Sequence, residues 1–358
     1  MAIARAATDT WTNAHVRVAR SARILLLAAW ALGALLPASS PAATTASQQQ
    51  ASIEALTRAN AAVVGIDVTA VEDARSAETL GRERSGSGVV IGPDGLVLTI
   101  GYLMLEADSI QVTTQDHRTL PARAVAYDQA TGFGLLRPLL PLRGVAPVPL
   151  GSVAGVRPGD AVLAATGGDD ADVAMTQVVG KRPFSGYWEY FLETALFTSP
   201  PIQNHSGAPV FNQRGELLGI GSVFVGDATG EGKPVPGNMF VPVDLLKPIL
   251  AELQQSGSTR AGHRPWLGLT SREEGGRVQV MRVNRDSPAE AAGIEPGDVV
   301  LAVDGAPVAT LEAFYKKLWD RAAPDTEVTL TVQQGAEIRT IGLRAVDRTT
   351  TMAKPAGI

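Results

Sequence analysis

A mainly β chain that ends in a small α/β module is the fold class this sequence predicts. Three observations carry that reading. From about residue 60 to 245, short Val/Ile/Leu-rich runs alternate with Gly, Pro and Asp turns at close spacing. Near residue 242 the apolar spacing becomes helical, and beyond a polar stretch at 256–264 short strands alternate with short helices. Several hairpins packed into about 190 residues imply a closed barrel or a pair of barrels, because an open sheet would leave long unpaired edges.

The elements follow in order. Arg5, Arg17, Arg20 and Arg23 stand against the single acid Asp9, and a run of thirteen apolar residues from Ile24 to Leu36 comes next. Small residues follow, so residues 1–42 read as a secretory signal peptide cleaved near Ala42 or Ala43. Thirteen residues fall short of the roughly 18 that span a bilayer, which makes a membrane anchor by an uncleaved signal the lesser reading. Residues 43–52 form a polar spacer, with a short helix expected from Ser52 to Asn60.

Residues 53–255 hold the β-rich domain. Its clearest hairpin is Val89-Val90-Ile91, turn Gly92-Pro93-Asp94-Gly95, then Leu96-Val97-Leu98, where Pro and Gly supply the turn geometry. A second runs from Val210-Phe211 through Asn212–Gly215 to Glu216–Ile220. Leu245, Leu246, Ile249, Leu250 and Leu253 recur at helical spacing after Pro242-Val243-Asp244. The stretch 256–264 (SGSTRAGHR) has linker composition.

The module at 265–346 opens with a strand at Trp266–Thr270 and a second at Val278–Val283. In Ser287-Pro288-Ala289-Glu290, Ser caps a helix, Pro begins it and Glu closes a capping box. Strand Val299–Val303, turn Asp304-Gly305, helix Leu311–Asp320 and strand Val328–Val332 complete it. Residues 347–358 read as a loose tail.

Composition narrows the chemistry. The 358 residues suit two or three domains of about 150 residues each, and 45% apolar residues suffice for real cores. The net charge of −5 becomes −8 once the signal takes away four arginines and one aspartate, a net +3, so a broad basic nucleic-acid surface is excluded. Peptides, proteins or small molecules are the expected partners. Zero cysteines exclude disulfides, thiolate metal sites and thiol nucleophiles, and four histidines leave little for a metal site; no metal and no cofactor are expected. His15 leaves with the signal, and His117, His205 and His263 remain.

The runs GSGVVIGPDGLVLTIGYLM (86–104), AYDQATGFGLLR (126–137), NHSGAPVFNQRGELLGIGS (204–222), RPWLGL (264–269) and SPAEAAGIEPGDVVLAVDG (287–305) together resemble the HtrA/Deg trypsin-like serine proteases with one C-terminal PDZ domain. The resemblance covers nearly all of the chain after the signal, in the family's order. It implies a trypsin-like double antiparallel β-barrel with the active site between the barrels, followed by a small α/β PDZ domain.

Such a protease needs a serine nucleophile, a histidine to take its proton and an aspartate to hold the histidine tautomer. In the family's nucleophile motif, Gly-Asn-Ser-Gly-Gly-Pro, this chain reads Asn204-His205-Ser206-Gly207-Ala208-Pro209, and Ser206 is kept. In the base motif, Thr-Asn-Asn-His-Val-Val, it reads Thr99-Ile100-Gly101-Tyr102-Leu103-Met104, so tyrosine stands where histidine belongs. In the acid motif the run Asp128 to Leu136 puts Gly132 where the aspartate belongs.

No replacement suggests itself. An ordinary phenol titrates near 10 and is a poor base at neutral pH. His205 adjoins Ser206, but neighbouring side chains on a tight turn diverge. His117 lies in a turn and His263 in the linker, while Asp128 with Thr131 reads as a turn-forming pair. The oxyanion hole would use backbone N–H groups at Asn204 and Ser206, with Asn204 replacing a glycine. Pro200-Pro201 alters the segment before it. The acidic stretch Gly167-Gly168-Asp169-Asp170-Ala171-Asp172 replaces another active-site loop and is expected to be mobile.

Losing the base alone removes about 10⁶ in turnover in a well-studied serine protease. The expectation is therefore an exported, periplasmic pseudoprotease that binds peptides or unfolded proteins with apolar C-termini through its PDZ domain, in envelope quality control or as a regulator. An active protease or other envelope protein is a further partner in this reading, and a homo-oligomer is an open alternative. A serine endopeptidase with residual or rebuilt activity at Ser206 is the competing function. In the PDZ module a terminal carboxylate would rest on the loop Trp266-Leu267-Gly268-Leu269, because glycine permits close backbone approach; Phe314 and Leu318 would wall the groove or else be core.

Overall fold

The computed structural model describes residues 42–169, 171–321 and 323–353. The expected signal segment up to residue 41 lies outside the described residues. The first element is a helix, α1 (Ala42–Ala61), twenty residues long and longer than the expected Ser52–Asn60. It absorbs the polar spacer because Thr44 to Ala61 contains no Gly or Pro and is rich in Ala and Gln, both compatible with a helix.

Six strands then close a first barrel: β1 (Val63–Ala70), β2 (Glu83–Val90), β3 (Val97–Ile100), β4 (Ala107–Thr113), β5 (Thr119–Tyr127) and β6 (Phe133–Pro138), with the short helix α2 (Ala77–Leu80) between β1 and β2. Their order around the barrel is β1-β2-β3-β6-β5-β4, closed because Val68 of β1 lies opposite both Arg84 of β2 and Ile110 of β4. A second barrel comprises β7 (Ala161–Ala165), β8 (Val173–Gly186), β9 (Tyr190–Ser199), β10 (Pro209–Phe211), β11 (Leu217–Val225) and β12 (Gly237–Pro242), ordered β10-β11-β12-β9-β8-β7. Here Ala164 of β7 pairs with Ala174 of β8 and Val210 of β10, which closes the circle and removes the edges.

The hairpin at 89–98 forms as expected: Val90 pairs with Val97 and Gly95 N–H donates to the Gly92 carbonyl at 3.0 Å. The apolar pattern at 245–253 does not give one helix. It splits into a 3₁₀ turn at Val243–Leu245 and the helix α3 (Leu250–Ser256), because Pro248 has no N–H to donate and disfavours helical geometry in the residue before it.

The connection at 256–264 is anchored rather than free. Buried Thr259 donates to Asp128 Oδ1 at 2.5 Å and accepts from Gly262 N–H at 2.9 Å, and His263 Nδ1 lies 2.5 Å from Asp347 Oδ2. Linker composition hid this, since Ser, Thr and Gly serve equally in a cap and in a flexible spacer.

The C-terminal module contains β13 (Pro265–Trp266), β14 (Leu269–Glu274), β15 (Arg277–Val283), helix α4 (Pro288–Ala291), β16 (Val299–Val303), β17 (Ala306–Pro307), helix α5 (Leu311–Trp319), β18 (Glu327–Gln334), β19 (Glu337–Arg344) and β20 (Val346–Asp347). Its sheet runs β14-β15-β16-β18-β19, which leaves β14 as an edge strand. The expected strand at Trp266–Thr270 is interrupted at Leu267-Gly268, where the chain turns from β13 into β14. Ser287 caps α4 as expected, its Oγ accepting from Glu290 N–H at 3.2 Å, but the Glu290 carboxylate reaches one residue further back, accepting from Asp286 N–H at 2.7 Å.

The stretch at 347–358 is not loose where it is described. Arg348–Thr351 form a 3₁₀ turn capped by Asp347, and Ala353 N–H donates to Glu106 Oε1 at 2.8 Å on the first barrel. Among the described residues no helix is long and apolar enough to cross a membrane.

Candidate functional site

The three positions of the expected triad are brought together at the junction of the barrels. Ser206 sits on the loop that enters β10, and its carbonyl accepts from Ser87 N–H of β2 at 2.8 Å, so the first barrel holds the backbone of a second-barrel residue. Gly207 follows with φ +74°, and a Cβ there would lie 2.0 Å from the Ser87 carbonyl oxygen. Only glycine allows this close approach. Tyr102 lies on the 3₁₀ turn Gly101–Met104 that ends β3, and Gly132 ends the turn joining β5 to β6. Gly101 N–H donates to the Gly132 carbonyl at 2.7 Å, so Tyr102 and Gly132 stand on adjacent, tied loops.

The phenolic oxygen of Tyr102 lies 2.7 Å from Ser206 Oγ and 2.8 Å from the Ser222 carbonyl oxygen. One phenolic proton cannot serve both, and the carbonyl can only accept. When Tyr102 donates to Ser222, the contact with Ser206 is made by the serine's own proton. Burial pushes the Tyr102 phenol up to about 12, although its bond to Ser206 opposes the shift. At neutral pH the group facing Ser206 is therefore a neutral phenol, a type of group that makes a poor base.

The acid position is empty of charge and filled by an aromatic side chain. Gly132 adopts φ +82°, and a Cβ on it would meet the Tyr190 hydroxyl at 3.0 Å. That hydroxyl donates to the Thr131 carbonyl at 2.5 Å, and the Tyr190 ring stacks on Trp188 at 5.4 Å between centroids. Asp128 is no displaced acid: its carboxylate accepts from Thr131 N–H, Thr131 Oγ1 and Thr259 Oγ1, and it is 1% exposed.

Burial holds the His205 imidazole below its ordinary value. His117 lies at φ +60° in the turn between β4 and β5. His263 joins Asp347 through Nδ1 and Ser258 Oγ through Nε2 at 2.9 Å, the residue types of a triad, yet these three lie at the interdomain connection and do not line the cavity beside Ser206. Asp347 is there a capping residue, accepting from Thr349 N–H at 2.9 Å.

At the oxyanion position Asn204 takes φ +52°, the left-handed region that asparagine tolerates better than most residues. The acidic loop is pinned where it begins, because Gly167 N–H donates to Ser87 Oγ at 3.0 Å. Asp170 lies outside the described residues. A cavity of about 900 Å³ opens beside the site, lined among others by Tyr102, His205, Ser222, Tyr187, Trp188 and Arg282. Its lining runs from Tyr102 and His205 to Trp266, Leu269 and Arg282 of the C-terminal module. Among the described residues no cluster of His, Cys, Asp or Glu is suited to a metal ion.

In the PDZ module the loop singled out in the sequence has its donors converging. Leu267, Gly268 and Leu269 direct their N–H groups at the Glu189 carboxylate, at 3.0, 2.8 and 2.7 Å. Burial pushes Glu189 up to about 7, although these three donors pull the other way. Trp266 is 5% exposed beside them. Phe314 and Leu318 are both fully buried in the module's apolar cluster.

The α5 residue that bonds to the segment lying along β14 is Tyr315, whose hydroxyl donates to the Gly186 carbonyl at 2.7 Å. Sequence reasoning missed both Tyr315 and Glu189. A signal for Glu189 existed in hindsight of the turn: it occupies a hairpin position that usually takes glycine.

Comparisons with known proteins agree with this architecture. A model of the trypsin-like peptidase domain matches residues 86–220, and a PDZ-domain model matches residues 265–344. A probable periplasmic serine endoprotease DegP-like of Pseudomonas putida is 28% identical over 239 residues, covering 62% of this chain and 48% of that protein. One of the same description from Hahella chejuensis is 25% identical over 295 residues, covering 77% and 60%. A putative serine protease HhoA of Synechocystis is 28% identical over 252 residues, covering 62% and 61%. The chain thus spans between about half and three-fifths of the length of these relatives.

The HtrA-type protease AlgW solved with a decapeptide shares the fold at a TM-score of 0.51 and 20% identity, covering 83% of this chain and 98% of the other. The same protease with a tripeptide gives 0.50 at 23% identity, covering 86% and 99%. The chain thus joins a trypsin-like peptidase domain in two closed barrels to one PDZ domain, and in both it is similar to the DegP-like serine endoproteases and the HtrA-type structures.

Proposed function

We propose that this chain is an exported, periplasmic pseudoprotease of the HtrA/Deg family, which binds peptides or unfolded proteins through its PDZ domain and does not cut them. The observation that carries the reading is the neutral phenol of Tyr102, 2.7 Å from Ser206 Oγ, where a base would have to stand. Acyl transfer by a serine needs its proton withdrawn as the alkoxide attacks, and the withdrawing group must then hold positive charge against an oriented carboxylate. Tyr102 supplies no such acceptor, and Gly132 supplies no carboxylate. Ser206 keeps the un-ionised hydroxyl of an ordinary alcohol. The names of the relatives support a periplasmic location.

The experiment is turnover of unfolded casein by the purified protein beside Ser206→Ala, with fluorophosphonate labelling of both. No labelling at Ser206 and no cleavage above the alanine variant is the expected result. Ser206-dependent cleavage would establish the competing function, a serine endopeptidase with a rebuilt site, which retention of Ser206 in the Asn204–Pro209 motif favours.

A further inference from the structure

The tip of the β8–β9 hairpin lies against the PDZ module. Gly186 pairs with Tyr190, so the connection is the three-residue loop Tyr187-Trp188-Glu189. Three-residue hairpin loops commonly close on a residue in the left-handed region, a position that favours glycine. Here it is Glu189, with φ +57°. The side chain of this strained residue is 4% exposed, and its carboxylate receives the N–H groups of Leu267, Gly268 and Leu269. A buried carboxylate in an unfavourable backbone conformation persists only where its surroundings hold it.

The neighbouring contacts repeat the geometry of an added strand. Leu269 and Ser271 are two residues apart on the edge strand β14; the first donates to Glu189 and the second donates to the Tyr187 carbonyl at 2.8 Å. Tyr187 and Glu189 are themselves two apart. From α5, the Tyr315 hydroxyl donates to the Gly186 carbonyl at 2.7 Å and accepts from Glu189 N–H at 3.3 Å. Phe191, two residues beyond the tip, is 7% exposed and packs in the module's apolar cluster.

We propose that the PDZ module's resident ligand is this chain's own hairpin tip, with the Glu189 side-chain carboxylate standing where a peptide's terminal carboxylate would rest. An outside peptide then binds only by displacing Tyr187-Trp188-Glu189. This rests on reading residues 267–269 as the carboxylate loop of the proposed peptide-binding function. The apparent affinity for an outside peptide is its intrinsic affinity reduced by the fraction of molecules with the tip withdrawn.

The test uses the whole chain as wild type, Glu189→Gly and Glu189→Gln. Glycine removes the carboxylate while suiting the left-handed turn, so the hairpin keeps its shape; glutamine keeps the size and removes the charge. Two quantities are measured: hydrogen exchange of the amides at 267–269, and binding of a fluorescein-labelled decapeptide ending in Leu-Leu-Val, with a free or an amidated C-terminus. In Glu189→Gly the three amides should exchange about tenfold faster or more, and the free-carboxylate peptide should bind about tenfold tighter or more than to wild type, with Glu189→Gln between.

Unchanged exchange in Glu189→Gly would overturn the internal ligand. So would equal peptide affinity in wild type and Glu189→Gly. If the amides are released but neither peptide binds any variant, the internal ligand stands and the peptide-binding function falls.

Discussion

The phenolic oxygen of Tyr102 lies 2.7 Å from Oγ of Ser206, the distance at which a general base would sit, and burial raises that phenol to about 12.

Replacing the phenol by an imidazole tests how much of the site survives. Tyr102→His alone should leave fluorophosphonate labelling of Ser206 slow, because Gly132 offers no carboxylate to orient the ring. Adding Gly132→Asp places a Cβ 3.0 Å from the Tyr190 hydroxyl at φ +82°. The pair of changes should therefore recover less than the triple variant that also carries Tyr190→Phe. A well-placed base is worth about 10² to 10⁴ in rate, which sets the scale for the triple variant. Labelling rates of the three variants, measured side by side, check the ranking.

Tyr102→Phe removes the partner of the Ser222 carbonyl and of Ser206 Oγ together. It should lower stability by about 1–2 kcal/mol, read as a lower midpoint in urea unfolding. Ser206→Ala leaves the Tyr102–Ser222 bond in place and should cost less than about 1 kcal/mol in the same measurement.

Ionisation of Tyr102 should be invisible across the physiological range. Its folded value of about 12 stands above the ordinary value of 10.0, so the folded state holds the phenolic proton more tightly than the unfolded chain does. The stabilisation from this group is therefore full below the ordinary value and lost as pH rises through about 12. The difference in phenolate absorbance between wild type and Tyr102→Phe should stay flat to about pH 11 and grow above it. Growth centred at the ordinary value would show the phenol to be solvated.

Asp128 ties the connection between the domains to the first barrel through Thr259. Asp128→Ala strands the Thr259 hydroxyl and the Thr131 N–H and should cost about 2–3 kcal/mol. It should also speed trypsin cleavage after Arg260, which limited proteolysis would report. Cleavage at the wild-type rate would show that the anchor does not restrain the connection.

How much of this was legible in sequence depends on how local each determinant is. The hairpin at 89–98 follows from Gly92, Pro93, Asp94 and Gly95, neighbours whose backbone preferences act within four residues. The identities at 102, 132 and 206 were readable because short runs fix the register of each loop. Pro248 broke the expected helix by an equally local effect, which the apolar spacing alone concealed. Phe314 and Leu318 shared the helical spacing of the residues that meet the core, but spacing does not say which α5 residue meets a second segment, and that residue is Tyr315.

The sequence by itself determined a β-rich region that closes into barrel form, the α/β module behind it, and which residues stand at 102, 132 and 206. Only the tertiary structure decided where the buried polar groups went. Glu189 meets Leu267 across 78 residues, and Thr259 meets Asp128 across 131. Apolar periodicity and turn chemistry are written over a few neighbouring residues. A carboxylate's choice among backbone donors is settled when folded domains pack, because desolvation forces each buried polar group to find a partner at whatever distance along the chain.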